Sequence, residues 1–311
     1  MSTAGTAPKI NAIIEVNPEL MNIIKQEFLI SGLKVYAYSH KSSLASDKPI
    51  QVHFMLHWRL ANCAAVDSAA RKAVLLAQAM KDREHDLVVI VFDHRNHGVR
   101  QVELRANQSW DEGNPTHAPD MYSIVLGSAH DVSMLIDLLP CYLLPHTLNR
   151  QIVDWGVSGV SLGGHTAWVL MAREPRLSHA VIVIGCPSYS KLVTDRCISS
   201  GYPQVAPYLP QSFLDLVQRT SAENVPYTKN DKSNPFYNKK LMIIVGGEKD
   251  VLVPWKESRE YVMGLNVGPK GIKKVHIHQE AGHEFNKEMI DETASFIASY
   301  GALPENLPAV N

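Results

Sequence analysis

Gly159-Val160-Ser161-Leu162-Gly163 stands between the apolar run Ile152–Val157 and the helix-forming run Gly164–Met171. A serine flanked by two glycines, with a strand pattern before it and a helix pattern after it, describes a sharp strand–turn–helix. Larger side chains at the two glycines would clash in so tight a turn. The turn lifts the Ser161 hydroxyl out of the sheet, and the N-terminus of the following helix favours negative charge developing beside it. The pentapeptide alone recurs by chance, so its weight depends on what surrounds it.

Outward from this turn, short β-branched runs alternate with longer Ala/Leu-rich amphipathic stretches. Strands are predicted at Leu33–Tyr38, Ile50–Leu56, Leu87–Phe92, Ile152–Val157, Ala180–Ile184, Leu241–Val245 and Lys274–His278. Helices are predicted at Ser68–Met80, Met121–Leu139, Gly164–Ala172, Trp255–Leu265 and Lys287–Tyr300, with Asp67 capping the first and Pro140 stopping the second. Several strands are apolar almost throughout, as parallel strands covered on both faces must be. The pattern predicts an α/β fold, a doubly wound and mostly parallel sheet whose ligand site lies beyond the carboxyl ends of the strands. The serine turn falls there. Residues 1–311 read as a single domain. The segment 187–239, rich in Pro, Tyr and Ser and with one amphipathic stretch at Ser212–Thr220, is too long for a plain connection and reads as a small cap inserted in that domain.

The composition is that of an ordinary globule, 45% hydrophobic and 20% charged, with a formal net charge of −1. That balance gives no electrostatic case for nucleic acid or an anionic membrane. The first residues lack the basic-then-apolar pattern of a secretory signal, and no uninterrupted apolar run approaches the ~18 residues that span a bilayer. Cys63, Cys141, Cys186 and Cys197 are scattered and read as reduced thiols, so the cytoplasm is the expected compartment. No cofactor is expected, and the sequence leaves the oligomeric state open.

A serine hydroxyl becomes a useful nucleophile when a base takes its proton and a carboxylate orients that base. Two candidates follow Ser161 at strand ends. Asp250 lies just past Leu241–Val245 in the turn Gly246-Gly247-Glu248-Lys249-Asp250, and His283 lies just past Lys274–His278 beside Gly282. Glu248, Asp195 and Asp215 compete with Asp250 for the acid. His276 and His278 alternate within a strand and read as packing or solvent-facing residues. No third ligand stands near them, and His94 and His97 read as structural residues of their turn, so no metal site is expected. Ser158 reads as a packing residue within its strand, and Cys63 and Cys186 as buried thiols.

In the order Ser161, Asp250, His283, each at a carboxyl strand end, the chain resembles the α/β-hydrolase fold superfamily over roughly Ile50–Tyr300. Asp93-His94-Arg95-Asn96-His97-Gly98 is similar to that superfamily's D-x-R-x-x-G turn, with Asp93 and Arg95 bracing loops. The resemblance implies Ser161 as nucleophile, Asp250 as acid and His283 as base. It implies an oxyanion hole from the backbone N–H groups of Leu162 and Arg59. His57-Trp58 replaces the usual His-Gly, which puts Trp58 at the pocket mouth. Trp58, Trp110 and Tyr189 are the expected pocket residues, and Tyr202, Tyr208, Tyr227 and Phe236 either extend an aromatic wall or form the cap's own core. The expected activity is hydrolysis of a small to medium carboxylic ester or lactone through an acyl-enzyme. A thioesterase, or an amidase or peptidase like those of the prolyl-oligopeptidase branch, would use the same triad. A ligand receptor derived from the fold would show little turnover, and Ser161 counts against a dehalogenase, which would carry Asp there.

Overall fold

A computed structural model describes residues 21–144 and 150–299. Eight strands form one sheet: β1 (Ile23–Ile30), β2 (Leu33–His40), β3 (Ile50–Leu56), β4 (Asp86–Phe92), β5 (Ile152–Val160), β6 (Leu177–Val183), β7 (Lys240–Gly246) and β8 (Ile272–His278). Their spatial order is 1-2-4-3-5-6-7-8. β1 and β2 run antiparallel to their neighbours, and β4, β3, β5, β6, β7 and β8 are mutually parallel. β3 and β4 are buried at every residue, the outcome their unbroken apolar character requires at the centre of a covered sheet.

The helices are α1 (Asp67–Ala79), α2 (His117–Leu143), α3 (Leu162–Arg173), α4 (Tyr189–Ser199), α5 (Gln211–Thr220), α6 (Trp255–Gly264) and α7 (Lys287–Ser299). Two apolar cores lie on the two faces of the sheet. One contains Val125, Leu135 and Leu139 of α2, Trp168 of α3, and Phe54, Ile90 and Ile182 from the strands. The other joins Ala70 and Val74 of α1 and Met289 and Ile297 of α7 to Val89, Val181 and Ile244. α2 is long and apolar enough to cross a membrane by length and composition, more than the uninterrupted apolar runs suggested. Fourteen of its residues are instead buried within the protein.

Departures from the sequence expectation have local causes. β1 was not expected, because an edge strand exposed on one side carries Lys25, Gln26 and Glu27 in mid-run. It pairs with β2 through Ser31-Gly32, whose φ values of 50° and 77° suit a two-residue hairpin turn. Asp67 is the first residue of α1 rather than its cap; its carboxylate accepts from Tyr38 Oη and Arg71 Nε, each at 2.5 Å. Pro140 does not stop α2, which runs on to Leu143 with the Leu144 N–H bonded to the Pro140 carbonyl at 3.1 Å. β6 starts earlier than expected and ends at Val183, because Ile184 turns the chain with φ 45°. The segment 187–239 carries α4 as well as the expected α5. Of the helix expected to reach Tyr300, that last residue lies outside the described residues, as do the two ends of the expected 1–311 domain.

Candidate active site

Ser161 sits between the end of β5 and the start of α3 with φ 54° and ψ −108°, a conformation a non-glycine residue adopts only when its surroundings impose it. Those surroundings are the two glycines and the sheet. A Cβ at Gly159 would stand 2.1 Å from the Gly163 carbonyl oxygen, and one at Gly163 would stand 2.5 Å from that of Leu56. The Ser161 N–H bonds the Val183 carbonyl at 2.9 Å, tying the turn to β6.

Loops after β7 and β8 bring the other two residues to this turn. Ser161 Oγ lies 2.8 Å from His283 Nε2, and His283 Nδ1 lies 3.1 Å from each carboxylate oxygen of Asp250. Asp250 is 1% exposed, and its Oδ1 also accepts from the N–H groups of Leu252 at 3.1 Å and Val253 at 2.8 Å. A buried carboxylate held this way keeps Nδ1 protonated and leaves Nε2 free to accept from the serine. The competing acids lie elsewhere. Glu248 is exposed, Asp195 pairs with Lys191 at 3.4 Å, and Asp215 accepts from Gln211 on α5. His276 and His278 face α7, where each is 3.0 Å from a carboxylate oxygen of Glu292. Burial pushes the Cys63 and Cys186 thiols up to about 12, so neither supplies a thiolate at neutral pH. Ser158 is buried within β5.

Leu162 opens α3, so its N–H has no acceptor within the helix and points from the same end as the Ser161 hydroxyl. The loop that carries Arg59 is fixed by two neutral imidazoles. His57 Nε2 accepts from the His94 N–H at 3.1 Å while its Nδ1 donates to the Trp58 carbonyl at 2.8 Å. His94 Nε2 donates in turn to the His57 carbonyl at 3.0 Å, and its Nδ1 accepts from Ser128 Oγ at 2.7 Å. The same His57 carbonyl takes the Gly163 N–H at 3.2 Å, so one oxygen ties the β3 loop to the start of α3. Burial lowers the pKa of His57 to about 4 and holds that of His94 well below its ordinary value, which keeps both rings neutral as this pattern requires. Asp93 braces the adjoining turn by accepting from the N–H groups of Cys63 at 2.7 Å and Val99 at 2.8 Å. Its carboxylate fills the space a side chain at Gly98 would need. Arg95 and Arg100 both bond Asp131 of α2.

A cavity of about 70 Å³ adjoins Ser161 and His283. Tyr189 lines it, as expected, together with Leu192, Val193 and Arg196 of α4, Leu252 and Val253 of the Asp250 loop, and His117 and Met121 of α2. Two expected pocket residues are placed elsewhere. Trp58 is buried in the core on the other side, its ring edge-on to Phe285 at 6.4 Å, because the β3 loop turns its side chain away from the cavity. Trp110 stands behind His117, 5.4 Å from that ring, and packs with Tyr202 and Tyr208. Tyr227 stacks on Tyr261 at 3.9 Å and Phe236 packs on Trp168, so these aromatics form a core rather than a pocket wall. Arg196 and His165, one turn beyond Ser161, line the cavity without having been singled out in the sequence, and Arg59, expected there for its backbone N–H, lines it too. His165 had a signal, since position i+4 on a helix shares a face with residue i.

No protein-family model matches the chain, and no curated protein sequence matches it. Solved structures do resemble it. The TT1662 protein of Thermus thermophilus aligns with TM-score 0.65 and 18% identity, over 90% of this chain and 99% of that one. An S-formylglutathione hydrolase from Agrobacterium tumefaciens aligns with TM-score 0.53 and 16% identity, over 89% and 94%. The esterase Pf2001 of Pyrococcus furiosus aligns with TM-score 0.52 and 17% identity, over 95% and 96%. At such identities the likeness is one of architecture, and that architecture is the α/β-hydrolase fold.

Proposed function

We propose that the protein is a serine hydrolase that cleaves a small carboxylic ester by acyl transfer. The observation that carries this is the contiguous line from Ser161 Oγ to His283 Nε2 at 2.8 Å and from His283 Nδ1 to the buried Asp250 carboxylate at 3.1 Å. In this reading His283 removes the serine proton as Oγ attacks the ester carbonyl, and Asp250 holds the ring in the accepting tautomer and stabilises the imidazolium. The N–H groups of Leu162 and Arg59 receive the tetrahedral oxyanion, each such donor being worth about 3–4 kcal/mol. The same His283 then protonates the leaving alkoxide, and a water molecule activated by the ring releases the acyl group.

Residues 187–239 act as a cap, since α4 supplies Tyr189, Leu192, Val193 and Arg196 to the cavity beside the serine. The small inner cavity favours a short group on at least one side of the scissile bond over a peptide or a long acyl chain. Four free cysteines, three of them buried, fit a reducing compartment, and we assign the protein to the cytoplasm. The names of the similar esterase and hydrolase agree with this reaction class.

The test is a fluorophosphonate label followed by peptide mapping, with turnover of p-nitrophenyl acetate measured for wild type and Ser161→Ala. Labelling at Ser161, and loss of both label and turnover in the folded variant, are the expected results. Wild-type turnover in Ser161→Ala would overturn the assignment. A single slow acylation without turnover would mark a receptor instead, and a thioester and amide panel separates the remaining acyl classes.

A further inference from the structure

The cavity beside Ser161 has one apolar side, from Met121, Leu192, Val193, Leu252 and Val253, and one side that carries two arginines. Arg59 enters it from the loop after β3 and Arg196 from α4, and the residues lining it include no aspartate or glutamate. Neither guanidinium hydrogen-bonds a carboxylate among the described residues. Arg196 donates to the Leu252 carbonyl, and among the described residues no carboxylate lies within 4.0 Å of it. Arg59 donates to the Asn107 carbonyl at 2.9 Å, and the carboxylate nearby, Glu112, stands 3.9 Å away. That oxygen of Glu112 is already engaged by the N–H and hydroxyl of Ser109, at 2.7 and 2.8 Å.

The neighbouring rings report the same field. Burial first, and then the charges of Arg196 and Arg59, hold the His117 pKa at about 3, and His165 is kept neutral at about 4 by burial. Burial of each arginine disfavours its charge, and their mutual repulsion adds to that cost at Arg59. A fold does not gain stability from two like charges gathered in a half-buried cavity whose nearest carboxylates, Glu112 and Asp250, are engaged by other donors. Guanidinium groups match the planar, two-oxygen face of an oxyacid, so an anionic ligand would relieve the arrangement.

We propose that the substrate carries an anionic oxyacid group, a carboxylate or a phosphate, which docks between Arg59 and Arg196 while the ester carbonyl lies against Ser161. This rests on the serine-hydrolase reading above and names its substrate class. The volume sets the length. A cavity of about 70 Å³ is small and suits a compact charged group on a short linker. The half-ester of a short dicarboxylic acid has this shape. The rest of the substrate passes the partition formed by Leu192, Arg196 and Leu252, which also line an outer groove of about 680 Å³. Arg196 therefore stands at the junction of the two spaces.

The experiment measures binding and turnover in the same preparations. Calorimetry with glutarate and with inorganic phosphate is run on wild type, Arg196→Gln and Arg196→Lys, and Ser161 labelling by fluorophosphonate is read in parallel. Turnover is expressed as the ratio of kcat/KM for mono-p-nitrophenyl glutarate to that for p-nitrophenyl butyrate. Wild type is expected to bind one of the two anions competitively with ester and to favour the charged ester. In Arg196→Gln that ratio and the anion affinity are expected to fall by about tenfold or more, with partial recovery in Arg196→Lys. Tighter binding of glutarate points to a carboxylate, and of phosphate to a phosphate ester. Equal ratios in wild type and Arg196→Gln, or no binding of either anion, overturn the proposal. If Ser161 labels normally in that case, the hydrolase reading stands without it. Arg196-dependent anion binding with Ser161 unlabelled supports the anion site and removes the hydrolase reading instead.

Discussion

Replacing Asp250 by Asn separates the chemistry of the site from its architecture. Asp250 Oδ1 accepts from the Leu252 and Val253 N–H groups, whereas Oδ2 contacts His283 Nδ1 alone, at 3.1 Å. An asparagine that keeps the two backbone bonds must place its carbonyl oxygen at Oδ1 and its NH₂ at Oδ2. The NH₂ then faces Nδ1 and favours the tautomer with the proton on Nε2, the form that cannot accept from Ser161. Oδ1 is also 3.1 Å from Nδ1, but it already serves two N–H groups and recovers only part of the lost interaction. The expected loss in kcat for an ester substrate is about 10³–10⁴-fold, equivalent to roughly 4–5 kcal/mol of transition-state stabilisation. The stability change is small by comparison, about 1 kcal/mol, because the backbone bonds survive. Initial rates with p-nitrophenyl acetate and a urea melt on the same sample measure the two quantities. A folded Asp250→Asn variant with kcat within a few-fold of wild type would refute the role of Asp250. A variant that loses activity only by unfolding would refute the separation.

Gly163→Ala is expected to destabilise the protein by about 1–3 kcal/mol, because its Cβ would meet backbone atoms 2.5–2.8 Å away that cannot move independently of the sheet; urea titration checks it. His94→Ala removes a donor to the His57 carbonyl and the acceptor for Ser128. We expect kcat to fall more than KM rises, since the loop carrying Arg59 loosens while the cavity lining remains, and steady-state kinetics decide. Acidification is expected to destabilise the fold. His53 and His117 near pKa 3, and His57 and His165 near pKa 4, stay neutral when folded but titrate near 6.5 when unfolded. The unfolded chain therefore binds more protons as pH falls below 6.5, and each ring withdraws about 1 kcal/mol between pH 7 and pH 5.5. Urea midpoints across that interval should fall together with proton uptake on unfolding, and a flat profile would count against four neutral buried rings.

Much of this architecture is visible in single residues of the chain. Ser161 between two glycines, and Asp250 and His283 each just past an apolar run, carry their structural context with them, because buried parallel strands cannot avoid an apolar signature. β1 escapes the same logic, since an edge strand with one solvated face need not alternate cleanly. The pocket escapes for a different reason. Trp58 was expected in it because it replaces the glycine of the usual His-Gly, and Trp110 as an aromatic of the polar loop, but a side chain's direction is set by loop backbone that local pattern does not encode. Arg196 has no motif at all. It reaches the cavity only because α4 folds over the serine from 35 residues further along the chain (196 − 161).

The two arginines also bear on the reaction itself. In the proposed reaction, positive charge beside Ser161 would favour the negative charge that forms there, so it would aid the oxyanion and oppose an imidazolium at His283. Asp250 resolves the conflict, being buried directly behind the ring and screening it from the cationic cavity. A bound carboxylate or phosphate changes the balance again. It would neutralise the guanidinium groups and leave the proposed oxyanion to the backbone donors of Leu162 and Arg59. A charged substrate would then do more than bind tightly, since its own anion would alter the field at Ser161. A neutral ester of the same size lacks that effect, and its disadvantage should appear in kcat as well as in KM.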